Sequence, residues 1–175
     1  VIAITGTNGK TTTTALLGEI LRKHVEKVFV VGNIGIPYTG LVLETTPQSI
    51  TAAEISSFQL ETIHKFRPNV SAILNISPDH LDRHYNMKTY SNIKVNITKN
   101  QLEEDICILN YDDKILRELG EKLISQVFYF SSSKCLDSGI YLENNSIIYS
   151  NRNQKTTVCK IDELKIFGKH NYENV

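Results

Sequence analysis

Six residues near the start of the chain, Gly6-Thr7-Asn8-Gly9-Lys10-Thr11, restrict its fold more than any other segment. They separate a short apolar run, Val1–Thr5, from a stretch over Thr11–His24 in which Leu16, Leu17, Ile20, Leu21 and His24 recur at helical spacing. Glycines between a strand and a helix accept positive φ and let backbone N–H groups turn inward onto phosphate oxygens. The positive end of the following helix faces the same anion. Lys10 can then reach the terminal phosphates of a nucleotide, and the Thr11 hydroxyl can ligate Mg²⁺. The longer phosphate-loop pattern asks for another glycine six residues before the lysine. Ile4 stands there, so this loop is two residues shorter.

The rest of the chain alternates in the way such a loop requires. Apolar runs at Lys27–Val31, Ser49–Ile55, Val70–Ile76, Ile106–Asn110 and Gln126–Phe130 predict strands. Helical patterns near Met87–Lys99 and Asp112–Ile124 lie between them. Strands alternating with helices predict an α/β fold, a mostly parallel sheet flanked by helices on both faces. After residue 131 the segments shorten to Gly139–Leu142, Ser146–Tyr149 and Thr156–Ile161, with turn residues between them, which predicts a small antiparallel meander. No repeat, linker or low-complexity tract divides the chain, so residues 1–175 read as one domain. Val1 falls inside a strand pattern and Val175 stops where a helix begins. The expectation is a domain excised and truncated from a longer protein.

Composition narrows the partners. Nineteen basic and nineteen acidic side chains cancel to a net charge of zero, which offers no broad attraction for nucleic acid or anionic lipid. Phosphate recognition must therefore be local. No apolar run approaches 18 residues and no signal-peptide pattern is present, so the expected location is the cytoplasm, off the membrane. Cys107, Cys135 and Cys159 are odd in number and widely spaced, matching neither a disulfide framework nor a zinc site.

Beyond the loop, several residues could carry chemistry. Glu54 falls at the end of a parallel strand, where such sheets place ligand groups, and could hold Mg²⁺ opposite Thr11. Asp79-His80-Leu81-Asp82-Arg83-His84 follows another strand and is dense enough in charge to bind metal or substrate near a transferring phosphoryl group. A hydrated surface turn would have a similar composition. Asn33, in the turn Gly32-Asn33-Ile34-Gly35, could donate to a phosphate or substrate oxygen or simply serve the turn. Lys94 on its own reads as a solvated helical lysine. His170, Asn171 and Asn174 close the chain, and an asparagine before a helix often acts as an N-cap.

Five motifs in order, GTNGKT (6–11), GNIG (32–35), EISSFQLE (54–61), NISPDHLDRH (75–84) and GKHNYEN (168–174), together resemble the central domain of the Mur ligases, over nearly the whole chain. Within that family the segments at 54–61 and 79–84 are most similar to the branch that adds D-glutamate to UDP-N-acetylmuramoyl-L-alanine in peptidoglycan synthesis. The resemblance implies an ATP-dependent ligase acting through an acyl phosphate. It also implies separate domains, beyond this chain, for the UDP group and for the amino acid. Nucleotide contacts would come from Gly6, Thr7, Asn8, Gly9, Lys10, Thr11, Thr12, Asn171 and Asn174, and substrate contacts from Asn33 and Ser56. Of two Mg²⁺ ions, one would be held by Thr11 and Glu54 and the other would lie beside His80 and a carbamate formed on Lys94 from CO₂. Lys10, His80 and Lys94 would be the catalytic groups. No oligomeric state follows. Competing readings are a sibling ligase for another amino acid, a nucleotide-binding module without chemistry, and a kinase or simple ATPase, which the shortened loop disfavours.

Overall fold

The computed structural model describes residues 1–166 and 168–175; Phe167 and the side chains of Lys169 and His170 lie outside the described residues. The first apolar run forms β1 (Ile2–Thr5), and the glycine loop passes directly into α1 (Lys10–Leu21). β2 (Val28–Gly32), α2 (Tyr38–Leu41), β3 (Ile50–Glu54), α3 (Ser57–Leu60) and β4 (Val70–Ile73) follow. Then come α4 (Leu81–His84), α5 (Met87–Val95), β5 (Ile106–Asn110), α6 (Lys114–Gly120) and β6 (Gln126–Ser131). Three strands, β7 (Gly139–Glu143), β8 (Ser146–Asn151) and β9 (Gln154–Lys160), complete the set.

Among the described residues nine strands join one sheet in the order β2-β3-β1-β4-β5-β6-β7-β8-β9. Every pairing up to β6–β7 is parallel, and β7–β8 and β8–β9 are antiparallel. The mostly parallel sheet and the meander are as the sequence predicts. The meander extends the main sheet, because Phe130 and Ser131 of β6 pair in parallel with Ile140 and Tyr141 of β7. β1 lies between β3 and β4, and the chain leaves β1 toward β2 on one side but runs from β4 toward β5 on the other. That reversal opens a crevice at the carboxyl ends of the central strands, the place where open α/β sheets bind ligands.

One face of the sheet carries the main core. Ala3, Val31, Ala53, Ile73, Cys107 and Leu109 meet Leu60 of α3, Tyr90 of α5, Ile97 and Leu116 of α6, all fully buried or nearly so. Burial also pushes the Cys107 thiol up to about 11, which leaves it inert. The other face carries α1, so helices flank the sheet on both sides as the sequence predicts. Leu17 of α1 packs on Ile4, Ala72 and Leu74, while Ile108, Phe128, Phe130 and Ile140 line an apolar groove of about 280 Å³ beside it. Among the described residues no helix is long and apolar enough to cross a membrane.

β2 and β3 approach closely at their carboxyl ends. Gly32 sits at φ 109°, and a Cβ added there would lie 2.1 Å from the Glu54 carbonyl oxygen. Only glycine tolerates both conditions. Gly32→Ala is expected to cost about 1–3 kcal/mol from backbone strain, with a further loss from the clash. Denaturant unfolding would report it as a lower midpoint at unchanged slope; an unchanged midpoint would show that the strand ends can separate freely.

Candidate active site

The site is built by strand register. Ile4 of β1 and Gly32 of β2 both pair with Glu54 of β3, so three strands end level and aim their following residues into one crevice. Thr5 pairs with Ile73, which brings the segment after β4 to the same edge.

The phosphate loop is tied to that last segment. Asn75 accepts from the Asn8 backbone N–H through Oδ1 (2.8 Å) and donates back to the Asn8 carbonyl (3.2 Å), while the Thr7 N–H donates to the Asn75 carbonyl (3.0 Å). The Thr7 hydroxyl is shared with Ser77 and with the Tyr90 phenol. Gly9 takes the left-handed conformation at φ 83° and begins α1 without a side-chain cap. The first N–H groups of the helix therefore have no intrahelical partner and are available to an anion. Thr12 lies on that first turn, partly exposed. Lys10 folds back, with Nζ donating to the carbonyls of Gly6 (2.9 Å) and Thr7 (2.8 Å).

Beside the loop, Glu54 is 1 % exposed. Its carboxylate accepts from the Thr11 hydroxyl (2.9 Å) and the Asn33 amide (3.0 Å), both neutral donors. Thr11 and Glu54, set opposite each other by the sequence, are in direct contact, and Asn33 joins them through its side chain as well as serving the turn with its backbone N–H to the Glu54 carbonyl (2.8 Å). A buried carboxylate without a cationic partner is costly. These oxygens suit a hard cation that takes its remaining ligands from phosphates and water, the usual manner of Mg²⁺. Among the described residues no three His, Cys, Asp or Glu side chains cluster as a metal cage.

Lys10, Asn33, Asp79, His80 and Lys94 line a cavity of about 110 Å³, along with Ser56, Ser57, Phe58 and Tyr90. Lys94 is not a solvated lysine. It is 1 % exposed, donates to the Gly6 carbonyl at 2.8 Å and lies 4.7 Å over the Tyr90 ring. Burial first, and then the charge of Lys10, push its pKa down to about 7, against a raising influence from Asp79. His80 takes a left-handed conformation at φ 49°, with its ring about half exposed and 3.4 Å from Asp79.

Two expected ligands have structural duties here. The Ser56 hydroxyl caps α3 in a reciprocal capping box with Gln59, though the residue still borders the cavity. Asn171 lies inside a short 3₁₀ turn, Lys169–Glu173, whose N-cap is Gly168, and Asn174 follows that turn, so neither asparagine caps its start. Asn174 reaches the phosphate loop nonetheless. Its Oδ1 accepts from Thr13 (3.3 Å) and occupies the space a Cβ on Gly9 would need. The side chain of His170 is outside the described residues.

His84 was counted with the Asp79–His84 cluster, while Asn75, Ser57 and Tyr90 received no role of their own from the sequence. Asn75 was legible as a polar residue inside the apolar run Val70–Ile76, two positions past the end of β4. Tyr90 falls four residues before Lys94, one helical turn, and so shares its face.

The family model for the Mur ligase middle domain matches residues 4–175. The chain is 57 % identical over 175 residues to the UDP-N-acetylmuramoylalanine–D-glutamate ligase of Lachnoclostridium phytofermentans, covering 100 % of this chain and 38 % of that protein. It is 51 % identical over 175 residues to the enzyme of the same name from Lachnospira eligens, covering 100 % and 39 %. Less than two fifths of these relatives' length is therefore spanned. Among solved structures, MurF from Acinetobacter baumannii superposes with a TM-score of 0.74 at 22 % identity, covering 99 % of this chain and 39 % of that one. MurF ligase from Thermotoga maritima in complex with ADP gives 0.67 at 22 % identity, covering 90 % and 39 %. At that identity the structures speak for the fold alone.

Proposed function

This chain belongs to the Mur ligase family, as its middle domain, and on that premise we propose that it is the ATP site of a cytoplasmic ligase that adds D-glutamate to UDP-N-acetylmuramoyl-L-alanine. The observation that carries the ATP reading is the junction of an uncapped helix start, Lys10 and a buried carboxylate with only neutral donors, in one crevice. Identity of 57 % and 51 % across the whole chain to two D-glutamate-adding enzymes supports the choice of amino acid.

The loop N–H groups and α1 hold the phosphates of ATP, with Asn174 behind Gly9 bracing the loop. Lys10 exchanges its loop carbonyls for phosphate oxygens. A carboxylate oxygen of the muramoyl substrate attacks the γ-phosphorus, the bond to the bridging oxygen breaks, and ADP leaves with that electron pair. The amine of D-glutamate then attacks the acyl carbon, phosphate departs, and the nitrogen gives up a proton as the amide forms. Two anions meet in the first step, so positive charge must gather there. Thr11 and Glu54 would hold one magnesium ion, and His80 with a carbamylated Lys94 would lie beside a second; when bound, the ions neutralise charge on the transferred phosphoryl group. Asn33 and Ser56 border the space for the muramoyl substrate, and groups for the UDP moiety and for D-glutamate lie on other parts of the parent protein.

Phosphate release by the full-length parent, offered ATP, Mg²⁺ and UDP-N-acetylmuramoyl-L-alanine with D-glutamate, L-alanine, L-lysine or meso-diaminopimelate in turn, tests this reading. Release with D-glutamate alone is expected. Preference for another amino acid would make it a sibling ligase, and nucleotide binding without release would sink the enzymatic reading.

A further inference from the structure

Behind the cavity wall three side chains form a chain of contacts that the proposed mechanism does not use. His84 is 1 % exposed and Ser57 is 3 % exposed. The Ser57 hydroxyl lies 3.1 Å from His84 Nε2, and His84 Nδ1 lies 3.2 Å from a Glu61 carboxylate oxygen. The other Glu61 oxygen accepts from Arg83 at 3.0 Å. The His84 ring is held between Phe58, stacked at 5.5 Å, and Tyr90 at 5.3 Å. Phe58, Tyr90 and Ser57 all border the cavity that contains Lys10 and Lys94.

A carboxylate can only accept, so in the neutral form of the ring Glu61 fixes the proton on Nδ1. Nε2 is then an acceptor, and Ser57 must give it its only hydroxyl hydrogen. What Ser57 keeps for the cavity is a pair of oxygen lone pairs. Without His84 the hydroxyl could rotate and present either a donor or an acceptor. We propose that His84, oriented by Glu61, is a positioning residue that holds Ser57 as an acceptor-only group on the cavity wall, where it accepts an N–H of the incoming amine. Ser, His and Glu also form nucleophilic triads, but here the ring is sealed between two aromatic side chains and cannot carry a proton to a leaving group in the cavity. Glu61 caps the C-terminus of α3, while Arg83 and His84 belong to α4, so the same contacts also hold the two segments together.

The proposal rests on the function proposed above for the identity of the amine, but not for the hydrogen-bond arrangement, and two measurements separate them. The first needs no variant. Nitrogen-15 spectra of histidine-labelled full-length protein should show His84 protonated on Nδ1 and bare on Nε2; a ring protonated on Nε2 overturns the proposal, whatever the enzyme's substrate. The second is kinetic, with the amine that the wild type uses. Ser57→Ala and His84→Asn, which keeps a donor toward Glu61 but no acceptor for Ser57, should each lower kcat/KM for the amine by about tenfold, with the KM for ATP within about twofold. The double variant should be no worse than either single one, because both remove the same contact. His84→Gln, whose amide oxygen can still accept from Ser57, should recover much of the loss. Multiplying effects, or a loss that falls on the KM for ATP, would assign the three residues to the fold alone.

Discussion

Lys10→Ala in the full-length enzyme is expected to lower kcat by about a hundredfold, equivalent to about 3 kcal/mol of transition-state stabilisation. The lysine sits at the start of α1, partly exposed, and its two hydrogen bonds go to carbonyls of its own loop. Neither contact belongs to the core, so the fold should survive, and melting should confirm that. Negative charge gathers around the transferred phosphoryl group as the bond to ADP breaks, so the missing ammonium is felt more in the transition state than in bound ATP. The loss should therefore appear in kcat more than in the KM for ATP. A second consequence follows from the electrostatics. The charge of Lys10 is one of the two influences that hold the Lys94 pKa down, so its removal should move the Lys94 titration upward. Near-normal turnover in a folded variant would remove Lys10 from the mechanism.

The fold and the place of the glycine loop within it were legible in the sequence for a common reason. Runs such as Val70–Ile76 are apolar because the strands are covered on at least one face, and the glycine loop must follow a strand to present its N–H groups. Boundaries were less legible. The helical pattern over Thr11–His24 gives a helix that ends at Leu21, and the run to Ile76 gives a strand that ends at Ile73. The short helices α3 and α4 escaped because four residues cannot display a helical period. Alternation predicted helices on both faces but says nothing of which side each helix takes; α1 lies on one face and α3, α5 and α6 on the other. Long-range side-chain partnerships were least legible of all. Nothing in the spacing of Ser57 and His84 says that they meet; their encounter depends on α3 and α4 folding over the same strand ends. Lys94 illustrates the same limit. Its helical spacing fits a surface lysine, and only the packing of α5 against the phosphate loop buries it.

Lys94→Ala is expected to abolish ligation, by at least about a hundredfold, while leaving ATP binding in place. As an ammonium this side chain is poorly accommodated: it is buried, close enough to Lys10 to feel its charge, and has the Gly6 carbonyl as its hydrogen-bond acceptor. With a pKa of about 7, near half of it is neutral at neutral pH, whereas an ordinary lysine at about 10.4 is neutral only about once in 2,500 molecules. The neutral nitrogen can attack CO₂, shifting an electron pair onto oxygen and releasing a proton, to leave a carbamate whose single negative charge is shared by two oxygens. The sign of the pH effect is fixed by the same depression. Below about 7 both folded and unfolded chains hold the proton and the burial penalty is fully felt; between about 7 and 10.4 only the unfolded chain holds it, so stability without CO₂ rises with pH across that window. Bicarbonate labelled with carbon-13 should give a carbamate resonance in the magnesium-loaded enzyme that is missing in Lys94→Ala. A small carboxylic acid should partly restore turnover to that variant, by placing two oxygens where the carbamate stood. An unmodified Lys94 in enzyme saturated with magnesium and bicarbonate would overturn this role, since an ammonium beside Lys10 would repel the cation that a carbamate attracts.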